Sequence, residues 1–228
     1  MSSFFHRIHA EAGVDIRLGA LVDGFEAGDD GRLAAVRVAG GEAVPTDLVL
    51  IGIGLHPNVD LAVEAGLEIE NGIVVDEFCR TSDHAVFAIG DCSWHPDSEH
   101  GGMRRLESVP NASEQARVVA SVITGAPRAY TSVPWFWSDQ YDLKLQSVGL
   151  SAGYDAVVLR GSPDEGRSLV VFYLKNGEVR AADVVASPRD FAIAKKLVGA
   201  RARIAPERLG NQAIELKELL GDLKAASA

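Results

Sequence analysis

The 228-residue chain has two cysteines, Cys79 and Cys92. They are too far apart for a C-x-x-C pair and too few for a disulfide scaffold or a zinc site, so both read as small buried residues. No apolar run is long enough to span a bilayer, and the amino terminus lacks the apolar stretch of a leader peptide. No membrane partner is expected, and a cytoplasmic location follows by default. Positive charge is scarce, with 22 Lys and Arg against 32 Asp and Glu and a formal charge of -10. That balance argues against a general nucleic-acid binder, which needs clustered cations for phosphates. His6, His9, His84 and His100 have no metal-ligand spacing with a cysteine or carboxylate, so no metal site is expected. What remains, 47% hydrophobic and 24% charged, is the composition of an ordinary globular protein of one to two domains.

A second absence concerns glycine. Nowhere does G-x-G-x-x-G occur, the pattern that brings backbone N–H groups and a helix amino terminus to a dinucleotide pyrophosphate. Gly52-x-Gly54 comes nearest, but Pro57 holds the third glycine's place. The segment reads either as a tight turn leaving a strand or as a contact at the nicotinamide end of a cofactor.

Periodicity predicts a helix over residues 3–12, strands over 14–18, 21–22, 33–38 and 47–51, and a further apolar strand over 86–89. Asn111 as N-cap, with Glu114 three residues on, predicts a capping box at the start of a helix that Gly125 and Pro127 end. Beyond residue 128, alternation predicts an antiparallel sheet from segments 144–150, 156–160, 169–175 and 179–185, with Asn176-Gly177 as a hairpin turn. Helices are expected over 187–197 and 214–223. Trp135 and Trp137 flank Phe136, so in an extended segment the two indoles share one face.

Four ordered segments bear on function: residues 47–58, 81–91, 107–116 and 134–141. Within the second, Thr81, Ala88, Gly90 and Asp91 fit T-x6-A-x-G-D. Read alone, this is either a buried strand ending in a Gly-Asp turn or a strand tip where glycine admits a ligand and Asp91 accepts hydrogen bonds from hydroxyls. With all four in order, the chain resembles the FAD-dependent NAD(P)H:ferredoxin reductases of the pyridine nucleotide-disulfide oxidoreductase superfamily, over essentially its whole length.

The resemblance implies a fold of α/β plus α+β class. A partial two-dinucleotide-binding flavoprotein fold would be followed by an antiparallel-sheet reductase carboxy-terminal domain. Residues 1–48 would be the tail of the NAD(P)-binding domain, 49–128 the second segment of the FAD-binding domain, and 129–228 the terminal domain. Both glycine loops of the family would precede residue 1, so the chain is expected to be a carboxy-terminal half.

The implied cofactors are FAD and NAD(P)H, and the implied partner is a ferredoxin-type iron–sulfur protein. Asp91, next to Gly90, would hold the ribityl chain. Val109 and the helix at Asn111 would line the ring, and Trp137, with Trp135 second, would cover it. Gly54 would lie at the nicotinamide end, and Glu107, on a strand leading to Val109, would reach the nicotinamide amide. Arg189, Lys195, Lys196, Arg201, Arg203 and Arg208 form either a docking patch for an acidic ferredoxin or a solvated face. Two further readings stay open: a non-catalytic fragment or half-protein that needs a complementary amino-terminal half, and a flavin disulfide reductase. His95 and the polar residues 96–99 read as a solvated insertion.

Overall fold

The computed structural model describes residues 1–97 and 101–226. Ser98, Glu99 and His100 lie outside the described residues. The chain divides into two compact units, Ser2–His56 and Pro57–Ala228 together with Met1.

In the first unit, α1 (Ser2–Glu11) buries Phe4 and Ile8, four residues apart on one helical face. Three antiparallel strands follow in order: β1 (Val22–Ala27), β2 (Leu33–Val38) and β3 (Glu42–Pro45). Two expectations fail here. Residues 14–18 and 47–51 join no strand ladder among the described residues. In and just after the second of these, Leu48 is 84% and Leu50 95% exposed, and Ile51 and Ile53 are exposed too. Alternation and apolar content prescribe strand, but a strand also needs a partner ladder, and this unit supplies none.

The second unit opens with a short helix, α2 (Asp60–Glu64), and a small sheet of β4 (Ile69–Glu70), β5 (Gly72–Val74), β6 (Ser93–Pro96) and β7 (Met103–Arg104), in that order. Only β5 and β6 run parallel. The expected strand over 86–89 reduces to a single bridge between Phe87 and Arg80. α3 (Val109–Ile123) buries Asn111, Gln115 and Val118, spaced by helical turns.

The expected antiparallel sheet is present. It holds β8 (Trp135–Gln140), β9 (Leu143–Gly149), β10 (Ala156–Arg160), β11 (Leu169–Lys175) and β12 (Glu178–Val185), ordered β10-β11-β12-β9-β8. Asn176 and Gly177, with φ of 52° and 77°, make the tight turn between β11 and β12, as a two-residue hairpin of this hand requires. One sheet face carries α4 (Pro188–Gly199), α5 (Pro206–Gly210) and α6 (Leu216–Ala226). The core there joins Phe172, Leu174, Val184 and Val148 of the sheet to Ala194, Leu197, Leu209 and Leu219 of the helices. Gly149 has φ of 73°, and a Cβ there would collide with the Arg180 carbonyl and meet Val198 Cγ1 at 2.9 Å. Only glycine lets β9 lie this close to β12 and α4.

Candidate functional site

α3 does not begin as expected. Its N-cap is Ser108, whose hydroxyl accepts from the Asn111 N–H at 3.2 Å, and Pro110 stands in the first turn. Asn111 is instead buried inside that turn. Its Nδ2 donates to the Leu106 carbonyl at 2.9 Å, and its Oδ1 accepts from the Tyr130 hydroxyl at 2.7 Å. Glu114 pairs with Arg117 rather than closing a box. Proline suits a first turn because its missing N–H would have no helical partner anyway. With Pro110 lacking a donor and Asn111 N–H capped, Val109 carries the one uncommitted N–H of the first three helical positions among the described residues. Val109 is 66% exposed.

Beside this helix end lies an open cleft of about 220 Å³ lined by Glu107, Ser108, Val109, Pro110, Phe136 and Trp137. Trp137 is 40% exposed. Its neighbour on the same strand face, Trp135, stands 5.7 Å away between ring centroids and anchors the pair by packing on Phe191, also at 5.7 Å. Lys195 Nζ sits 4.6 Å from the Trp135 ring centroid. Glu107 is not on a strand: it follows β7 in a stretch without ladder pairing, where the Leu106 carbonyl is taken by Asn111 Nδ2 instead.

Gly90 and Asp91 form a short turn of 3₁₀ type over Gly90–Cys92. Gly90, with φ of 76°, is buried against α3, where a Cβ would already touch that of Ala112 at 3.5 Å. The Asp91 side chain is exposed, and its carboxylate has no partner among the described residues. Arg105, which sequence reasoning missed, links this turn to the cleft. Its Nη1 donates to Glu107 Oε1 at 2.5 Å and to the Asp91 carbonyl at 3.3 Å. The structure thus gathers Gly90, Asp91, Glu107, Val109 and Trp137 around the start of α3.

Gly54 belongs to the other unit, where it has φ of 103° and open space about its α carbon. Cys79 is buried, and burial pushes its thiol up to about 12, which leaves it inert; Cys92 is only half-buried. His95 corrects the expectation of a solvated insertion: it is 3% exposed on β6. The ring stacks edge-on against Tyr130 at 5.0 Å, and Nδ1 donates to the Pro96 carbonyl at 3.1 Å. Asp97 is held by Arg104. The pairing of β6 with β7 draws His95 inside.

The site is therefore an aromatic wall beside a helix amino terminus, with an exposed carboxylate at a neighbouring turn. Residues 1–116 match the family model "Pyridine nucleotide-disulphide oxidoreductase" and residues 135–220 match "Reductase C-terminal". The chain belongs to the pyridine nucleotide-disulphide oxidoreductase family. It is 44% identical to putidaredoxin reductase of Pseudomonas putida over 99% of this chain and 53% of that protein. It is also 44% identical to the 5,5'-dehydrodivanillate O-demethylase ferredoxin reductase subunit of a Sphingobium strain, over 96% of this chain and 53% of that one. Among solved structures, the covalent putidaredoxin reductase–putidaredoxin complex aligns with a TM-score of 0.93 at 44% identity, covering 98% of this chain and 54% of that chain. The chain therefore spans about half the length of the relatives it matches.

Proposed function

We propose that this chain is the flavin-ring and acceptor-facing half of an FAD-dependent NAD(P)H:ferredoxin oxidoreductase. The observation that carries the reading is the grouping of Asp91, Glu107, Val109 and Trp137 around the start of α3. The residues present fit a flavin. Val109 offers an uncommitted N–H and the positive end of a 15-residue helix, suited to the electron-rich edge of a reduced ring. Trp137 offers an aromatic face, and the unpaired Asp91 carboxylate suits a polyhydroxyl chain.

When bound, the flavin would accept a hydride from a nicotinamide and release electrons singly. This chain's residues would orient and shield it. Asp91 fixes the sugar-alcohol tail, the α3 terminus favours negative charge at the ring without rearranging, and Trp137 and Phe136 exclude water from one side. Arg105 holds Glu107 at the cleft edge, in position for the nicotinamide amide. The domain limits proposed with this reading lie near residues 48 and 128, and a cytoplasmic location goes with it.

The partner proposed is a ferredoxin-type iron–sulfur protein, approached through cations of the terminal domain. Arg201 is exposed and without an ion pair among the described residues, whereas Arg203 is tied to Glu178 at 2.7 Å. Arg201 is therefore the better steering charge of the two.

A second reading, a half-protein that needs a complementary chain, draws support from residues 47–53. Leu48, Leu50, Ile51 and Ile53 are all exposed, and as a strand the run would carry the first two on one face and the last two on the other. A run apolar on both faces suits the interior of a parallel sheet covered on both sides. Co-expression with the amino-terminal half of putidaredoxin reductase tests both readings together. Flavin uptake and NADH-dependent ferredoxin reduction by the pair are expected; a pair that assembles yet takes up no flavin would overturn the first.

A further inference from the structure

Beneath the Gly90–Asp91 turn, the side chain of Gln115 is fully buried, with 0% exposure, on α3. Its Oε1 accepts the Gly90 N–H at 2.6 Å and lies 3.0 Å from the Ser93 hydroxyl, which is itself 2.9 Å from the Gly90 carbonyl. Because Gly90 N–H can only donate, the amide orientation of Gln115 is determined: oxygen toward the turn, Nε2 away. Among the described residues the Gly90 N–H has no backbone acceptor.

We infer that Gln115 is a positioning residue for the flavin site: it locks the Gly90–Asp91 turn onto the same helix whose first residue, Val109, lines the cleft, so that Asp91 and the α3 terminus act as one rigid element. The inference rests on the flavin reading for its purpose, but the lock itself is a property of this chain alone. The Ser108 cap, Pro110 and the Asn111–Tyr130 bond fix the start of α3. Gln115, between one and two turns further on, is its only side-chain hydrogen bond to the turn among the described residues.

Amide hydrogen exchange on the full chain tests this. Gln115→Met keeps the length and removes the acceptor, and is expected to speed exchange at Gly90 about tenfold, the scale of one hydrogen bond, while β11 and β12 stay protected. Gln115→Glu, which retains an acceptor oxygen, is expected to restore most of that protection. Unchanged Gly90 exchange in Gln115→Met overturns the inference. Should Gln115→Met lose protection everywhere, Ser93→Ala serves instead, with faster exchange confined to the turn expected and an unchanged turn counting against the lock.

In the chain complemented for flavin uptake, Gln115→Met combined with Asp91→Ala is expected to weaken FAD binding no more than Asp91→Ala alone. Multiplying losses would show that Asp91 does not act through the lock. Failure of the wild-type pair to take up flavin would count against the flavin reading and leave the exchange result to judge Gln115.

Discussion

Arg105 and Glu107 meet at 2.5 Å, and the same guanidinium nitrogen reaches the Asp91 carbonyl at 3.3 Å. The Arg105 side chain is mostly buried while Glu107 is open to solvent. One cation thereby joins the edge of the cleft to the turn that presents the Asp91 carboxylate. Arg105→Leu keeps the packing of the stem and removes the bridge. It is expected to weaken nicotinamide use and flavin binding by about fivefold each, the scale of a charge-assisted hydrogen bond that is partly exposed. Steady-state KM for NADH and an FAD titration of the complemented protein measure this.

Trp137 is held by Trp135, which is itself anchored on Phe191. Trp137→Ala is expected to raise the fluorescence of bound flavin, through loss of a stacked quencher, and to slow ferredoxin reduction more than hydride uptake. Trp135→Ala should act in the same direction but cost stability as well, because Trp135 packs against the terminal core. Stopped-flow kinetics of the two half-reactions separates these effects.

Arg201 gives the salt-dependent prediction. Arg201→Glu is expected to slow ferredoxin reduction about tenfold at low ionic strength and far less at high salt, as for a steering charge. Arg203→Glu should act more weakly on the rate and more on folding, because Arg203 already pairs with Glu178.

Gly149 is a stability prediction independent of any cofactor. Gly149→Ala must force a left-handed residue and a collision with the Arg180 carbonyl, and is expected to cost about 2 kcal/mol or more. Chemical denaturation checks it.

His95 sets a pH dependence. Its pKa is depressed below the ordinary 6.5, chiefly because burial penalises the charged ring, with Arg104 adding to the effect and the Pro96 carbonyl and Asp97 opposing it. The unfolded chain then binds a proton that the folded one refuses. This contribution to stability is full above pH 6.5 and is lost as pH falls below it. His95→Gln is expected to flatten that part of the acid limb in urea titrations, and an unchanged limb would contradict the assignment.

The terminal domain was legible because its strands alternate clearly and, apart from the β9–β12 pairing, pair with neighbours in sequence, and Asn176-Gly177 marks the turn between two of them. Residues 47–51 carry an equally clear apolar signal, but pairing is a property of the partner, and none lies within the described residues. The start of α3 was misread by three positions, since Asn111 and Glu114 mimic a capping box while Ser108 followed by Pro110 is the working signal. His95 was misread because polar neighbours suggested solvent, where a short pairing of β6 with β7 buries it. The candidate site residues are read through resemblance alone. Arg105 and Gln115 were not legible, because each acts across elements that only the fold brings together.

The most direct test of the flavin site is FAD affinity in the chain complemented by its relative's amino-terminal half, compared with the same pair carrying Asp91→Ala. The account predicts a yellow complex whose FAD affinity falls at least about tenfold with Asp91→Ala, the scale of losing charge-assisted hydrogen bonds. Equal FAD affinity in the two pairs would contradict it.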